Sequence, residues 1–314
     1  MRTRFIIMAW LAGLVPVGLL QASSLFVASQ SSHQVFQFDG ETGEALGAFC
    51  SIANPRGLGL SPNGNLFVAS ASNHQVLEFD GKTGEALGAF CSIANPGSLA
   101  FGPNGNLFVA SESDHRVKVF DGDTGELLDL VLSVADPGGM AFTPPNNLYV
   151  ASEASHVVLG FDGESGTPLG TFCTIANPRG LAFEPSGNLL AASASSHQVL
   201  QFDGASGAAM GPFCTVANPG SLAIGPDGNL YVASDTAHQV LVFDGNTGEA
   251  LGVFCTVANP AGFVFSQDNE PCLGDYNQDN QVDVNDLLAV IAGWGDPYDV
   301  EDLLFVIGSW GSCP

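Results

Sequence analysis

An all-β fold built from six closed repeats is predicted by three observations. One hexapeptide recurs at a fixed step, each repeat carries four short apolar runs, and turn formers are abundant, with 39 Gly and 18 Pro in 314 residues. Apolar residues make up 46% of the chain and charged residues 12%, where about 25% charged is usual. A disordered chain is thereby excluded, and the wealth of Gly and Pro argues against a long helical bundle or coiled coil.

At the N-terminus, Arg2 and Arg4 precede an apolar run from Phe5 to Leu20, interrupted by Pro16 and followed by the small residues Ala22, Ser23 and Ser24. This pattern predicts a secretory signal peptide over residues 1–22, cleaved after Ala22. The run is too short, and too broken by its proline, to match the ~20 residues that span a bilayer. The mature chain is therefore expected to have no transmembrane segment and to be secreted or held at the cell surface.

The repeat follows. Asn65-Leu-Phe-Val-Ala-Ser70 returns at 106–111, 147–152, 188–193 and 229–234, with a sixth copy at 24–29, so that each terminal Ser lies 41 residues after the last. Phe-Asp-Gly keeps the same step from Phe38 to Phe243. Every His falls in one slot: His33, His74, His115, His156, His197 and His238. Six units cover residues 23–268 without insertion.

Within one unit the apolar runs are Leu99 to Phe101, Leu107 to Ala110, Val117 to Phe120 and Leu127 to Leu132. Pro103-Asn-Gly-Asn106 and Asp121-Gly-Asp-Thr-Gly125 supply the turns between them. Four antiparallel strands per unit of this length predict a propeller blade; a solenoid is the alternative architecture. The strands do not alternate polar with apolar, as expected of blades covered on both faces by their neighbours. The chain enters at Leu25, in the second strand of a unit, and leaves through Gly262-Phe-Val-Phe265, in the first strand of one. The two ends are thus expected to complete one blade together and close a six-bladed ring without open edges.

Units such as Gly225-Pro-Asp-Gly-Asn-Leu-Tyr-Val-Ala-Ser-Asp-Thr-Ala-His-Gln-Val-Leu-Val-Phe-Asp244 resemble NHL repeats, and the resemblance extends over all six. In that family an Asp follows Val-Ala and an Arg follows the His. Here the Asp is Ser throughout, and the Arg survives only at Arg116, with Gln34, Gln75, Gln198, Gln239 and Val157 elsewhere. That Arg is associated with nucleic-acid binding in some members, and its loss agrees with the charge of this chain.

Equivalent side chains in different blades are held apart by the ring, so the six histidines are expected to bond and pack loops between blades. A pH-sensitive face is the alternative reading. Cys50, Cys91, Cys173, Cys214 and Cys255 share a slot on the outermost strand, beyond disulfide reach of one another, and the third unit has Leu132 there. They are expected to be buried free thiols. Among the loops opening onto the inner strands, Arg56 and Arg179 stand out. They lie three blades apart and are expected to face each other across the channel mouth, either gripping a carboxylate or sugar oxygens or standing solvated. No unique Glu, Asn and Asp set, or His and Glu pair, is apparent at inner positions, so no catalytic residue is assigned.

After Glu270-Pro271 the period stops. Asp275, Asn277, Asp279, Asp283 and Asp286 place oxygen side chains at loop positions 1, 3, 5, 9 and 12, and Gln281 offers its carbonyl at position 7, the spacing of a Ca²⁺ loop. The apolar run 287–291 that follows predicts a helix. The segment resembles a type I dockerin repeat, with Asn280 where Gly is usual, a residue that tolerates the left-handed conformation. Residues 299–311 repeat 283–295 without the first half of the loop, so one ion is expected. Cys272 and Cys313 bracket this 272–313 module and are candidates for a disulfide. The resemblance implies docking to a cohesin-like receptor, with Val284, Asn285, Val300 and Glu301 at the recognition positions.

Lys and Arg number 7 against 32 Asp and Glu, a formal charge of -25. Binding a phosphate backbone needs clustered cations, so nucleic acid is excluded as a partner, and an anionic membrane is disfavoured. The sequence predicts an exported, non-catalytic binding or scaffold propeller, with a glycan or small molecule as ligand and a small α-helical, calcium-binding C-terminal module. A propeller enzyme acting on a polysaccharide, lactone or lyase-type substrate, recruited through that module, is the alternative. A third reading is a structural surface protein whose acidity suits a salty medium. A mouth lined by nonequivalent carboxylates would favour catalysis, and a plug of repeated Gly and apolar residues would favour binding.

Overall fold

The computed structural model describes residues 23–144, 146–266, 281–282, 287 and 311–312. From the axis outward, the first blade is β24 (Pro260–Phe265), β1 (Ser24–Ser29), β2 (Gln34–Asp39) and β3 (Ala45–Ser51). The second is β4 (Pro55–Leu60), β5 (Leu66–Ser70), β6 (Gln75–Phe79) and β7 (Ala86–Ser92), and the third is β8 (Pro96–Phe101), β9 (Leu107–Ser111), β10 (Arg116–Phe120) and β11 (Leu127–Ser133). The fourth is β12 (Pro137–Thr143), β13 (Asn147–Ser152), β14 (Val157–Asp162) and β15 (Pro168–Thr174). The fifth is β16 (Pro178–Phe183), β17 (Leu189–Ser193), β18 (Gln198–Phe202) and β19 (Ala209–Thr215), and the sixth is β20 (Pro219–Ile224), β21 (Leu230–Ser234), β22 (Gln239–Phe243) and β23 (Ala250–Thr256). The innermost strands pack in the order β4, β8, β12, β16, β20, β24 and back to β4. This is a closed six-bladed β-propeller.

Closure joins the two ends of the repeat. β1 pairs antiparallel with β24, Leu25 opposite Phe265 and Val27 opposite Phe263, and the Ser24 N–H donates to Ser266 Oγ at 2.7 Å. The second strand of each blade is buried on both faces. In β1, Leu25 and Val27 pack with Tyr231 and Val240 of the sixth blade, whereas Phe26 and Ala28 pack with Leu58 and Val68 of the second. Six such apolar layers between blades make up the core, which is why Leu-Phe-Val-Ala reads as a continuous apolar run.

The recurring polar residues hold the loops. The hexapeptide Ser is fully buried, and its hydroxyl donates to the carbonyl of the strand connection beside it, as Ser111 does to Ala94 at 2.6 Å. A donor is needed there, which accounts for Ser in place of a carboxylate. Each His adopts a left-handed backbone, φ 53–59°. Its Nδ1 accepts the backbone N–H of the residue 21 positions later, as His74 does from Asn95 at 3.0 Å, and its carbonyl accepts another, as from Ile93. The imidazoles thus pin the connection from one blade to the next. In the Phe-Asp-Gly turns, Asp80 Oδ1 accepts from Thr83 N and Oγ1 at 2.7 and 2.8 Å, and these bonds hold the Asp80 carboxyl below the ordinary range.

Cys50, Cys91, Cys173, Cys214 and Cys255 are free and buried in the outermost strands. Desolvation pushes each thiol up to about 12. Leu132, 2% exposed, fills the same place in the third blade.

Outside the propeller, β25 (Gln281–Val282) pairs antiparallel with β26 (Gly311–Ser312), and Leu287 is helical. The leader 1–22, Asp275, Asn277, Asp279, Asp283, Asp286, the Cys272 and Cys313 pair, Val284, Asn285, Val300 and Glu301 lie outside the described residues, as does the side chain of Gln281. Among the described residues no helix is long and apolar enough to cross a membrane.

Candidate functional site

The axial channel opens at the face carrying the connections between blades. There the first turns of all six innermost strands line a cavity of about 510 Å³. Its wall is glycine-rich because the strands crowd at the axis. A Cβ on Gly57 would stand 2.5 Å from the Gly97 carbonyl oxygen, and one on Gly180 the same distance from that of Gly220. Only glycine fits this approach.

Above the wall, two columns of side chains set the rim. The residue after each hexapeptide supplies Gln30, Ala71, Glu112, Glu153, Ala194 and Asp235, and the blade-to-blade connection supplies Asn54, Asn95, Asp136, Asn177, Asn218 and Asn259. Where both members are polar, they form rungs. Asn95 Nδ2 donates to Glu112 Oε2 at 3.0 Å, Asn218 Nδ2 to Asp235 Oδ2 at 3.2 Å, and Asn259 Nδ2 to Gln30 Oε1 at 2.9 Å. The fourth blade departs from this pattern, because Asp136 faces Glu153 there and neither carboxylate brings a donor.

Arg56 and Arg179 both line this mouth, but each is engaged with a carboxylate of the following blade. Arg56 Nη1 donates to Glu112 Oε1, and Arg179 Nη1 to Asp235 Oδ2 at 2.7 Å. Arg179 Nε also stands 3.9 Å from Glu153 Oε2, beyond hydrogen-bond reach. Arg56 Nε is buried without an acceptor among the described residues. These contacts correct the expectation of two free or solvated guanidinium groups.

The mouth therefore holds two arginines against the four carboxylates Glu112, Asp136, Glu153 and Asp235. Burial raises the Glu153 carboxyl above its ordinary range; Arg179 opposes that shift and Asp136 reinforces it. Burial likewise raises Asp235, with Arg179 opposing. These four carboxylates are nonequivalent, and sequence reasoning, which singled out only the two arginines among the mouth loops, missed them. The signal lay in the column Gln, Ala, Glu, Glu, Ala, Asp, which breaks an otherwise repeated sequence. The mouth combines both features used above to separate binding from catalysis: a repeated Gly wall and a nonrepeated charged rim. Among the described residues no three His, Cys, Asp or Glu side chains are disposed to hold a metal ion.

A family model described as "WD domain, G-beta repeat" matches residues 94–121, within the third blade. No curated protein sequence matches the chain. Among solved structures, a chain of the nidogen/laminin complex is 17% identical with a TM-score of 0.70, covering 79% of this chain and 99% of that one. A Bacteroides caccae protein of unknown function is 14% identical with a TM-score of 0.64, covering 78% and 99%. A gluconolactonase from Xanthomonas campestris is 19% identical with a TM-score of 0.58, covering 66% and 78%. At these identities the likeness is one of propeller fold.

Proposed function

We propose that this chain is an exported binding propeller of NHL-like type, whose ligand seats in the axial mouth and which is tethered through a calcium-ordered, dockerin-like tail. The observation that carries the reading is the convergence of Arg56, Glu112, Asp136, Glu153, Arg179 and Asp235 on one cavity. Charged side chains that break the repeat where the blades converge fit recognition of one asymmetric ligand. Both arginines form ion pairs within the protein, an arrangement that suits a preformed binding surface. The propeller of the nidogen/laminin complex belongs to a protein assembly, and a protein or glycan partner suits this mouth as well. The tail reading rests on the oxygen spacing from Asp275 to Asp286.

A catalytic second reading is favoured by one feature, the Asp136 and Glu153 carboxylate pair lining the cavity with burial raising its Glu153 member, since a pair of carboxyls in unlike environments suits general acid and base roles. A glycan and metabolite library titrated into the full chain, with product analysis of every binder, separates the two. Binding without turnover supports the first reading. Turnover lost in E153Q overturns it. Melting with calcium and with chelator tests the tail: a chelator-sensitive transition is expected, and its absence removes the calcium assignment.

A further inference from the structure

We infer that the ligand group seated at the fourth blade is a cation of the ammonium or guanidinium class, held between Asp136 and Glu153. The inference deepens the binding reading and rests on it.

The two halves of the mouth are related by a shift of three blades. Arg56 with Glu112 corresponds to Arg179 with Asp235, and Ala71 corresponds to Ala194. Among the polar side chains of the two columns and the arginines, the correspondence in charge fails in one place. Gln30 and Asn259 on one side, joined by a 2.9 Å bond, are matched by Glu153 and Asp136 on the other. One half of the rim thus carries a self-satisfied amide pair, and the other carries two carboxylates. The count of donors and acceptors there is one-sided. Every other polar rung has an Asn Nδ2 to donate, whereas Asp136 has only acceptors. Among the described residues no side chain donates to Glu153 within hydrogen-bond range, because Arg179 turns its Nη1 to Asp235.

Both carboxylates line the open cavity, so an entering group can reach them. Arg179, with its Nη1 on Asp235 and its Nε 3.9 Å from Glu153 Oε2, is shared between two carboxylates. Two acidic oxygen sets that no side chain among the described residues hydrogen-bonds thus ask for a group that brings several N–H donors and further positive charge. An ammonium or guanidinium does both. A neutral hydroxyl brings one donor and leaves the excess charge. The Gln30 and Asn259 side, being uncharged, would meet the polar remainder of the same ligand.

The test is isothermal titration of the full chain with two probes, 1,5-diaminopentane and the peptide acetyl-Gly-Lys-Gly-amide, against acetyl-Gly-norleucine-Gly-amide as the uncharged control. At least one amine is expected to bind and the control to fail. In D136N the Asn would donate to Glu153 as the other rungs do. That variant should melt no lower than wild type yet bind the amine about tenfold more weakly, since a charge-assisted bond is replaced by an internal one. E153Q should weaken binding similarly, whereas D123N, in an exposed turn far from the mouth, should leave it unchanged.

Binding of the diamine alone points to a small amine, and binding of the peptide alone to a protein side chain. Equal binding of the norleucine peptide, indifference of D136N, or a Glu153-dependent heat from calcium with none from either amine would overturn the cation assignment. If no amine binds while the library yields a neutral ligand sensitive to R179A, the assignment falls and the mouth reading stands. Silence in both falls on both.

Discussion

Arg179 Nη1 donates to Asp235 Oδ2 at 2.7 Å across the boundary between the fifth and sixth blades, and Arg56 makes the same reach to Glu112 between the second and third. Each pair is separated by 56 residues. These bonds tie neighbouring blades at the axis, where the glycine wall offers few side chains to pack.

R179A should therefore loosen one junction. Arg179 and Asp235 are 32% and 26% exposed, so the loss should be about 1 kcal/mol, between a surface pair and a buried one. Removing Arg56 as well should add its own cost independently, because the two pairs lie three blades apart. Urea midpoints of the single and double variants provide the check, and a strong coupling between them would contradict the separation.

S111A removes a fully buried donor and leaves the Ala94 carbonyl without it. The cost should be about 1–2 kcal/mol. S111T keeps the hydroxyl but adds a methyl to a packed layer, so it should recover only part of that loss. Chemical denaturation at constant m-value is the appropriate measurement.

The turn carboxylates Asp39, Asp80, Asp121, Asp162, Asp203 and Asp244 are all held below their ordinary range by hydrogen bonds. A depressed carboxyl contributes stability that is complete above its unfolded pKa, about 3.9 for Asp, and is lost as pH falls through the folded value. Glu153 and Asp235 are raised instead, so their contribution has the opposite sign: it is present at low pH and is lost as pH rises through the folded value. Six turns outnumber two rim groups. The propeller Tm should consequently fall below about pH 4, and E153Q should remove part of the opposing gain on acidification.

The five thiols, pushed up to about 12 by desolvation, should resist alkylation at pH 8 in the folded propeller and react fully in denaturant. Replacing Leu132 with Cys should add a sixth thiol of the same inertness. Rapid labelling of any of them in native buffer would show that the outer strand opens locally.

The blades were legible in the sequence because their causes are local and repeated. The turn Asp, the left-handed His and the buried Ser each act within one unit, and six copies make the pattern plain. Closure was legible too, since Leu25 and Phe265 carry the phase of complementary strands. The mouth was only half legible. Arg56 and Arg179 stood out, but their partners Glu112 and Asp235 lie in another blade, and only the curvature of the ring sets those carboxylates beside them. Asp136 differs from its Asn counterparts by a single group, and its meaning depends on what occupies the opposite column.

The joint between β1 and β24 has a topological consequence. In the other five blades a short turn links the first strand to the second, as 61–65 links β4 to β5; in the first blade the two ends of the repeated segment stand in its place, Ser24 bonded to Ser266. In the excised segment 23–266, a peptide of similar length joining Ser266 to Ser23 would circularise the propeller without disturbing any ladder. Loop-closure entropy over so long a chain sets the stabilisation at about 5 kcal/mol. The backbone could then be reopened at the exposed Asp121 turn, producing a permuted molecule with the same mouth and a different order of synthesis.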